Sequence, residues 1–132
     1  MTDYRAEIDY AATTHGLDAD LVCAIVEQES NYRFHAYRYE PNFYAKYLAD
    51  KPEWAGREPR EIAASYGLCQ IMFPTAVQYG FTGQPWELFA PAVSLEYGCR
   101  VLAADLKWAT GHTKQAVAAY NTGRGNWTSV TG

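Results

Sequence analysis

The stretch "LDADLVCAIVEQES", residues 17–30, decides the predicted fold because it carries the strongest helical pattern in the chain. Asp18 suits the N-cap and Asp20 the first turn, where carboxylates accept hydrogen bonds from free backbone N–H groups. At about 100° per residue, one side of the helix is apolar. That side consists of Leu21, Val22, Ile25 and Val26. The stretch therefore predicts an amphipathic helix that packs against a core.

Two glutamates near the end of this helix differ in their expected environment. Glu29 lies one turn beyond Ile25, near the middle of the apolar side, whereas Glu27 lies roughly opposite, toward solvent. Burial of a carboxylate is costly and raises its pKa. A glutamate that is protonated near neutral pH suits a general acid for glycosidic cleavage. From the helix alone, exposure of Glu29 at the helix end is the favoured interpretation, since helix ends are usually exposed.

Helical patterns also dominate the rest of the chain. A first helix is predicted in "DYRAEIDYAATTHG", with Gly16 at its end, and a long helix from Pro91 to about Thr110. Shorter helices are predicted in "NFYAKYLAD", from Pro59 in "PREIAASYG", after the proline of "QIMFPTAVQYG", and in "KQAVAAYN" between a Thr113 cap and Gly123. The only strand pattern is a weak alternation in "YRFHAYRY", which predicts at most a small hairpin. The fold class is mainly α.

Bulk properties restrict the class of protein. A chain of 132 residues with 48% hydrophobic residues suits one domain with its own core, and the net charge of −4 argues against a nucleic-acid partner. No apolar run is long enough to insert into a membrane. The acidic N-terminus lacks a signal-peptide pattern, which predicts synthesis in the cytoplasm. Cys23, Cys69 and Cys99 have no metal-site or disulfide spacing and are expected to be buried.

Three short motifs follow one another along the chain. The helix ends in Glu29-Ser30, "GLCQIMFPTA" occupies residues 67–76, and "AYNTG" occupies residues 119–123. In this order they resemble the family 1 lytic transglycosylases, whose catalytic domain is goose-type-lysozyme-like. The resemblance covers most of the chain. It implies a lysozyme-like fold and a single catalytic domain over residues 1–132.

The chain departs from the family pattern between the first two motifs. Residues 31–66 separate the Glu-Ser pair from the Gly-Leu-x-Gln block, a longer interval than the family often has, and "AASYG" replaces the usual small-residue approach to that block. An inserted segment is therefore predicted here, similar to lengthened segments in phage-encoded members. Its many aromatic residues fit either packing within the insertion or a wall for sugar rings.

The resemblance also implies a chemistry and a set of site residues. The family cleaves the β-1,4 bond between N-acetylmuramic acid and N-acetylglucosamine without water, giving 1,6-anhydromuramic ends. Glu29 would act as general acid and then as general base, and Tyr120 would orient it. The predicted substrate-binding residues are Ser30, Gln70, Asn121, Gly67 and Glu40. Simpler interpretations exist: Tyr120 in the core, Gln70 on the surface, Ser30 as a helix cap, and Asn121 ending a helix.

Two rival functions stay open. A hydrolytic muramidase would need a second carboxylate, and Glu40 is the candidate unless it only pairs with an arginine. A catalytically decayed peptidoglycan-binding or virion structural module is the rival of another class. In every case the expected partner is the peptidoglycan glycan strand. The protein is expected to be a monomer without cofactor or metal, reaching the cell wall by holin-type release or as part of a virion.

Overall fold

The computed structural model describes residues 3–122, and most of them are helical. The α-helices are α1 (Arg5–Thr14), α2 (Ala19–Ser30), α3 (Pro41–Phe43), α4 (Pro59–Ile62), α5 (Phe73–Gln78), α6 (Pro91–Trp108) and α7 (Thr113–Thr122). The strands are β1 (Tyr37–Tyr39), β2 (Ala64–Tyr66) and β3 (Ile71–Met72). A π-helical turn, Tyr44–Leu48, continues α3, and Pro52–Trp54 and Pro85–Phe89 form 3-10 helices. The mainly α prediction is confirmed.

Helix α6 organises the core because it contacts both α1 and α7, while α1 in turn contacts α2. The buried side chains come from α1, α2, α6 and the turn between β2 and β3, and they include Ile8, Val22, Val26, Leu68, Leu95 and Leu102. Removing a side chain of this size from water contributes roughly 1.5–3 kcal/mol. The apolar side predicted for α2 is largely the buried side, since Ile25 and Val26 are almost fully excluded from solvent.

The helix ends follow local chemistry. The Asp18 side chain accepts a hydrogen bond from the Asp20 backbone N–H, as predicted for the start of α2. The first helix ends at Thr14, and Gly16 follows with a positive φ of 67°. Thr113 is the first residue of α7 rather than its cap. Gly123 and the nine positions that follow it in the predicted domain lie outside the described residues.

The three strands form one antiparallel sheet in the order β1-β2-β3, which is larger than the predicted hairpin. Tyr37 pairs with Tyr66, Arg38 pairs with Ser65, and Ser65 pairs with Met72. Paired residues share a face of a sheet, and neighbours along a strand alternate between faces. Arg38, Ser65 and Met72 therefore lie on one face, and Tyr37 and Tyr66 on the other.

The segment between the first two motifs builds most of this sheet and its connections. The short helices predicted in it are found, as α3 with its π-helical turn and as α4. The predicted helix from Pro59 is shorter than its pattern, because the chain leaves the helix after Ile62 and enters β2 at Ala64. Its aromatic residues differ in their exposure to solvent. Tyr39, Phe43 and Tyr44 pack against the core, whereas Phe34, Tyr37 and Tyr47 are exposed.

Candidate active site

Glu29 lies in the last turn of α2 in a partly buried position, whereas Glu27 is exposed. This is the difference that the helical periodicity predicts. Burial raises the pKa of Glu29 from its ordinary value of 4.5 to about 7, and the positive charge of Arg38 acts in the opposite direction. At neutral pH the carboxyl group is therefore shared between its protonated and ionised forms. Such a group can give and take a proton at the same pH.

The raised pKa of Glu29 predicts a pH-dependent cost to stability. The unfolded chain releases this proton near pH 4.5 and the folded chain near pH 7, so the free energy of unfolding falls as pH rises between these values. Glu29→Gln removes that loss. We expect the variant to gain roughly 1–3 kcal/mol over the native protein above pH 7 and little below pH 4.5. Urea denaturation of both proteins at pH 4 and pH 8 measures the difference. A difference in free energy of unfolding that is the same at both pH values would contradict the prediction.

A groove of about 740 Å³ lies beside this helix end, on the Arg38 face of the sheet. Three elements supply most of its wall: the sheet, α5 with the residues after it, and the end of α7. The residues that carry polar or aromatic groups into it include Arg38, Glu40, Phe43, Gln78, Tyr120 and Asn121. We call it the cleft. Glu29 does not line the cleft. The Glu29 carboxylate nevertheless lies within electrostatic range of two residues that do, Arg38 and Tyr120.

Glu40 and Arg38 form an ion pair in the cleft. The Arg38 Nε lies 2.9 Å from the Glu40 Oε2, and the Glu40 side chain is about one-third exposed. The expected pairing of Glu40 with an arginine is thus confirmed, and Glu40 also lines the cleft. One guanidinium therefore lies near two carboxylates, those of Glu29 and Glu40, and it favours the ionised form of Glu29.

Tyr120 is held by a backbone contact. Its hydroxyl donates to the Cys69 carbonyl oxygen at 2.8 Å, so the proton is directed at the backbone and not at Glu29. Burial, with the nearby Cys69 and Glu29, raises the pKa of Tyr120 well above its ordinary value, which keeps the phenol neutral. Gly98 of α6 leaves room for this arrangement, since a Cβ there would lie 2.5 Å from the Cys69 Sγ. The Tyr120 hydroxyl was expected to orient Glu29 directly. In the structure it donates its hydrogen bond to Cys69 instead.

Gly67 and Gln70 shape the turn between β2 and β3. Gly67 has a φ of +76°, and a Cβ there would lie 2.6 Å from the Leu88 carbonyl oxygen, so it does permit a close backbone approach. Gln70 also has a positive φ, and its amide nitrogen donates to the Ala36 and Gly67 carbonyl oxygens at 3.1 Å each. Gln70 therefore ties the turn to the segment before β1. Its predicted contact with sugar would have to use its carbonyl oxygen.

Ser30 and Asn121 occupy opposite environments. Ser30 is 2% exposed, and its hydroxyl donates to the Val26 carbonyl oxygen one turn earlier in α2. In this conformation the hydroxyl proton is used within the helix, and the predicted contact of Ser30 with sugar has no geometric support. Asn121 is exposed near the end of α7 and lines the cleft beside Tyr120. The structure thus brings Glu40, Tyr120 and Asn121 together around one groove.

Several cleft residues were not predicted from the sequence. Met72 lines the cleft, and its sulfur accepts a hydrogen bond from the Ser65 hydroxyl at 3.2 Å. Thr75 and Gln78 also line it from α5. The Ser65–Met72 pair follows from strand alternation, but only once the strands are known. Leu68 and Ile71, in the same motif, are buried.

Within residues 3–122, no cluster of three or more histidine, cysteine or acidic side chains is arranged to hold a metal ion. None of the helices in that range is long and apolar enough to cross a membrane. Cys69 and Cys99 are buried, while Cys23 is only partly so, and all three are free thiols.

The chain was compared with protein-family models and with solved structures. The family model described as the transglycosylase SLT domain matches residues 7–131. Among solved structures, the chain is similar to an inactive mutant of the lytic transglycosylase Slt from Pseudomonas aeruginosa, with a TM-score of 0.71 and 24% sequence identity. The match covers 95% of this chain and 17% of that protein. At this identity the structural likeness supports the fold alone, and the chain spans only a small part of that protein's length.

Proposed function

Because the chain belongs to the transglycosylase SLT domain family, we propose that it is a peptidoglycan lytic transglycosylase. It cleaves the β-1,4 bond between N-acetylmuramic acid and N-acetylglucosamine without consuming water. One carboxyl group, that of Glu29, performs both proton transfers. The products carry 1,6-anhydromuramic acid ends.

The observation that carries the proposal is the environment of Glu29. Its carboxyl group is partly buried at the end of α2, next to the cleft, with a pKa raised to about 7. In its protonated form it donates to the glycosidic oxygen as the bond to the muramyl C1 breaks. In its ionised form it then accepts the proton of the muramyl O6 hydroxyl, which attacks C1. Because O6 belongs to the reacting sugar, its attack has a large advantage in effective concentration over that of water.

The other cleft residues position the substrate in this proposal. Neutral Tyr120 fixes the Cys69 backbone and lies within electrostatic range of Glu29, so it supports the site without exchanging protons. Asn121 is exposed at the cleft and can donate or accept hydrogen bonds with an acetamido group. Gly67 and Gln70 hold the turn that carries Cys69. These are roles in binding and positioning rather than in chemistry.

A hydrolytic muramidase is the second candidate, and the position of Glu40 favours it. Glu40 lines the cleft and is partly exposed, so its carboxylate can hold a water molecule there. Its ion pair with Arg38 opposes this role, because the guanidinium occupies the Oε2 atom that would otherwise be free to hold the water. The catalytically decayed module is less well supported, since a purely structural helix end gains nothing from a buried carboxyl group.

The products distinguish the two reactions. Digestion of purified sacculi in ¹⁸O-water is expected to give muramic ends that carry no label and are lighter by one water than reducing ends. Mass spectrometry of the released fragments measures both properties. Label at new reducing ends would overturn the transglycosylase assignment. Loss of that label in Glu40→Gln would then identify Glu40 as the second carboxylate.

The site of action follows from the substrate. A peptidoglycan-cleaving domain acts on the bacterial cell wall, and its partner is the glycan strand. The lengthened segment of residues 31–66 supports a phage origin, with delivery by holin-type release or as part of a virion. A monomer suffices in this proposal, because every proposed site residue comes from one chain.

A further inference from the structure

The sheet has a second depression on the face opposite the cleft. Tyr37 and Tyr66 are paired across β1 and β2, and both line this depression, while their neighbours Arg38 and Ser65 line the cleft. Its volume is about 490 Å³, within the range of small-ligand sites. Four rings form it, those of Tyr37, Tyr66, Trp86 and Phe89. We call it the aromatic groove.

The floor of the aromatic groove is rigid before any ligand arrives. The Tyr66 ring meets the Tyr37 ring edge to face at 5.5 Å between centroids and the Phe89 ring at 5.1 Å. The Tyr37 hydroxyl donates to the Arg60 carbonyl oxygen, and the Tyr66 hydroxyl donates to the Glu61 carbonyl oxygen at 2.6 Å. A ligand therefore finds oriented rings and does not have to order them, which lowers the free-energy cost of binding.

The rim of the aromatic groove combines exposed rings with charge. Trp86 is 54% exposed and Tyr37 43% exposed, so both present large flat surfaces to solvent. Glu58 and Glu61 add two carboxylates and Arg60 one guanidinium, which gives the lining a net negative charge. The Arg60 guanidinium also lies over the Tyr39 ring at 5.5 Å. An anionic ligand is disfavoured here.

This combination fits a neutral sugar. The C–H faces of a pyranose ring pack on aromatic faces, and its hydroxyl and acetamido N–H groups donate to carboxylates. We propose that the aromatic groove is a second, non-catalytic binding site for the N-acetylated, β-1,4-linked sugars of a glycan strand. The ligand class rests on the proposed function, but the site needs no catalysis. A glycan strand bound at the aromatic groove on one face of the sheet has a higher effective concentration at the cleft on the other face.

The test uses ¹⁵N-labelled Glu29→Gln protein, so that no cleavage occurs, and tri-N-acetylchitotriose as the probe. We expect the indole N–H signal of Trp86 and the amide signals of Tyr37 and Phe89 to shift in a saturable way. In the additional variant Trp86→Ala, the affinity read from the Tyr37 and Phe89 amides should fall about three- to tenfold, as expected for one lost aromatic contact. The matched control is Tyr10→Ala, which removes a 76% exposed ring from α1, outside the groove.

The outcomes separate this site from the proposed function. Absence of shifts at Trp86, Tyr37 and Phe89 with millimolar probe would overturn the site, even if amides around the cleft respond. A weakening by Trp86→Ala no larger than that by Tyr10→Ala would overturn it as well. Saturable shifts in the aromatic groove, in a protein whose native form cleaves no sacculi, would support the site while refuting the proposed activity.

Discussion

Glu29→Gln is expected to abolish cleavage of peptidoglycan while leaving the fold intact. The amide has nearly the same shape as the carboxylic acid, but it can neither donate the proton that the leaving oxygen needs nor accept one from O6. Loss of the acid and base roles together should lower the rate by at least about 100-fold. Initial rates of sacculus solubilisation, normalised to protein that keeps its native circular dichroism, measure this loss.

Glu27→Gln is the matched control for that experiment. It makes the same chemical change on the same helix, two residues earlier, at an exposed position. We expect its rate to stay within about twofold of the native protein, because exposed surface charges have small effects. A large loss in Glu27→Gln with near-normal turnover in Glu29→Gln would show that the wrong side of α2 has been assigned to the chemistry.

Gly67→Ala is expected to destabilise the protein by about 2–5 kcal/mol. The positive φ of 76° costs a residue with a side chain roughly 1–2 kcal/mol. The new Cβ would also lie 2.6 Å from the Leu88 carbonyl oxygen, and forced overpacking of this kind costs roughly 1–3 kcal/mol more. The opposing atom belongs to the backbone, so it cannot rotate away as a side chain would. Urea denaturation gives the free energy of unfolding.

Gly56→Ala separates the two contributions. Gly56 has nearly the same backbone conformation, with a φ of 79°, but a Cβ there would meet nothing within 4 Å. Its free energy of unfolding should fall only by the cost of backbone strain, roughly 1–2 kcal/mol. Equal losses in the two variants would mean that the contact between Gly67 and Leu88 relaxes without cost, and that the glycine is required only for its dihedral angle.

The sequence predicts the parts of this fold that depend on local order. The start of α2 at Asp18 and the difference between Glu27 and Glu29 both follow from helical periodicity over a few residues. The long helix α6 was predicted to within two residues of its end. The three motifs predict that Glu29, the β2–β3 turn and the end of α7 belong to one site.

The remaining features depend on contacts between distant parts of the chain. The strands β2 and β3 are only two or three residues long, too short for alternation to be recognised, and β1 pairs with β2 across more than twenty residues. The partner of the Tyr120 hydroxyl is a carbonyl oxygen 51 positions earlier. No pattern around Tyr120 indicates that its proton is directed there, because the arrangement exists only after α6 and α7 have packed.

The alternation along β1 has a consequence for how this chain tolerates insertions and deletions. Tyr37 and Arg38 are consecutive, yet they serve the aromatic groove and the cleft respectively. Removal of one residue just before β1 that shifts its pairing would exchange their faces, taking the positive charge from the cleft and the ring from the groove. Length changes in the connection between Tyr39 and Ala64 leave both in place. Length variation among relatives should therefore accumulate in that connection and avoid the three residues of β1.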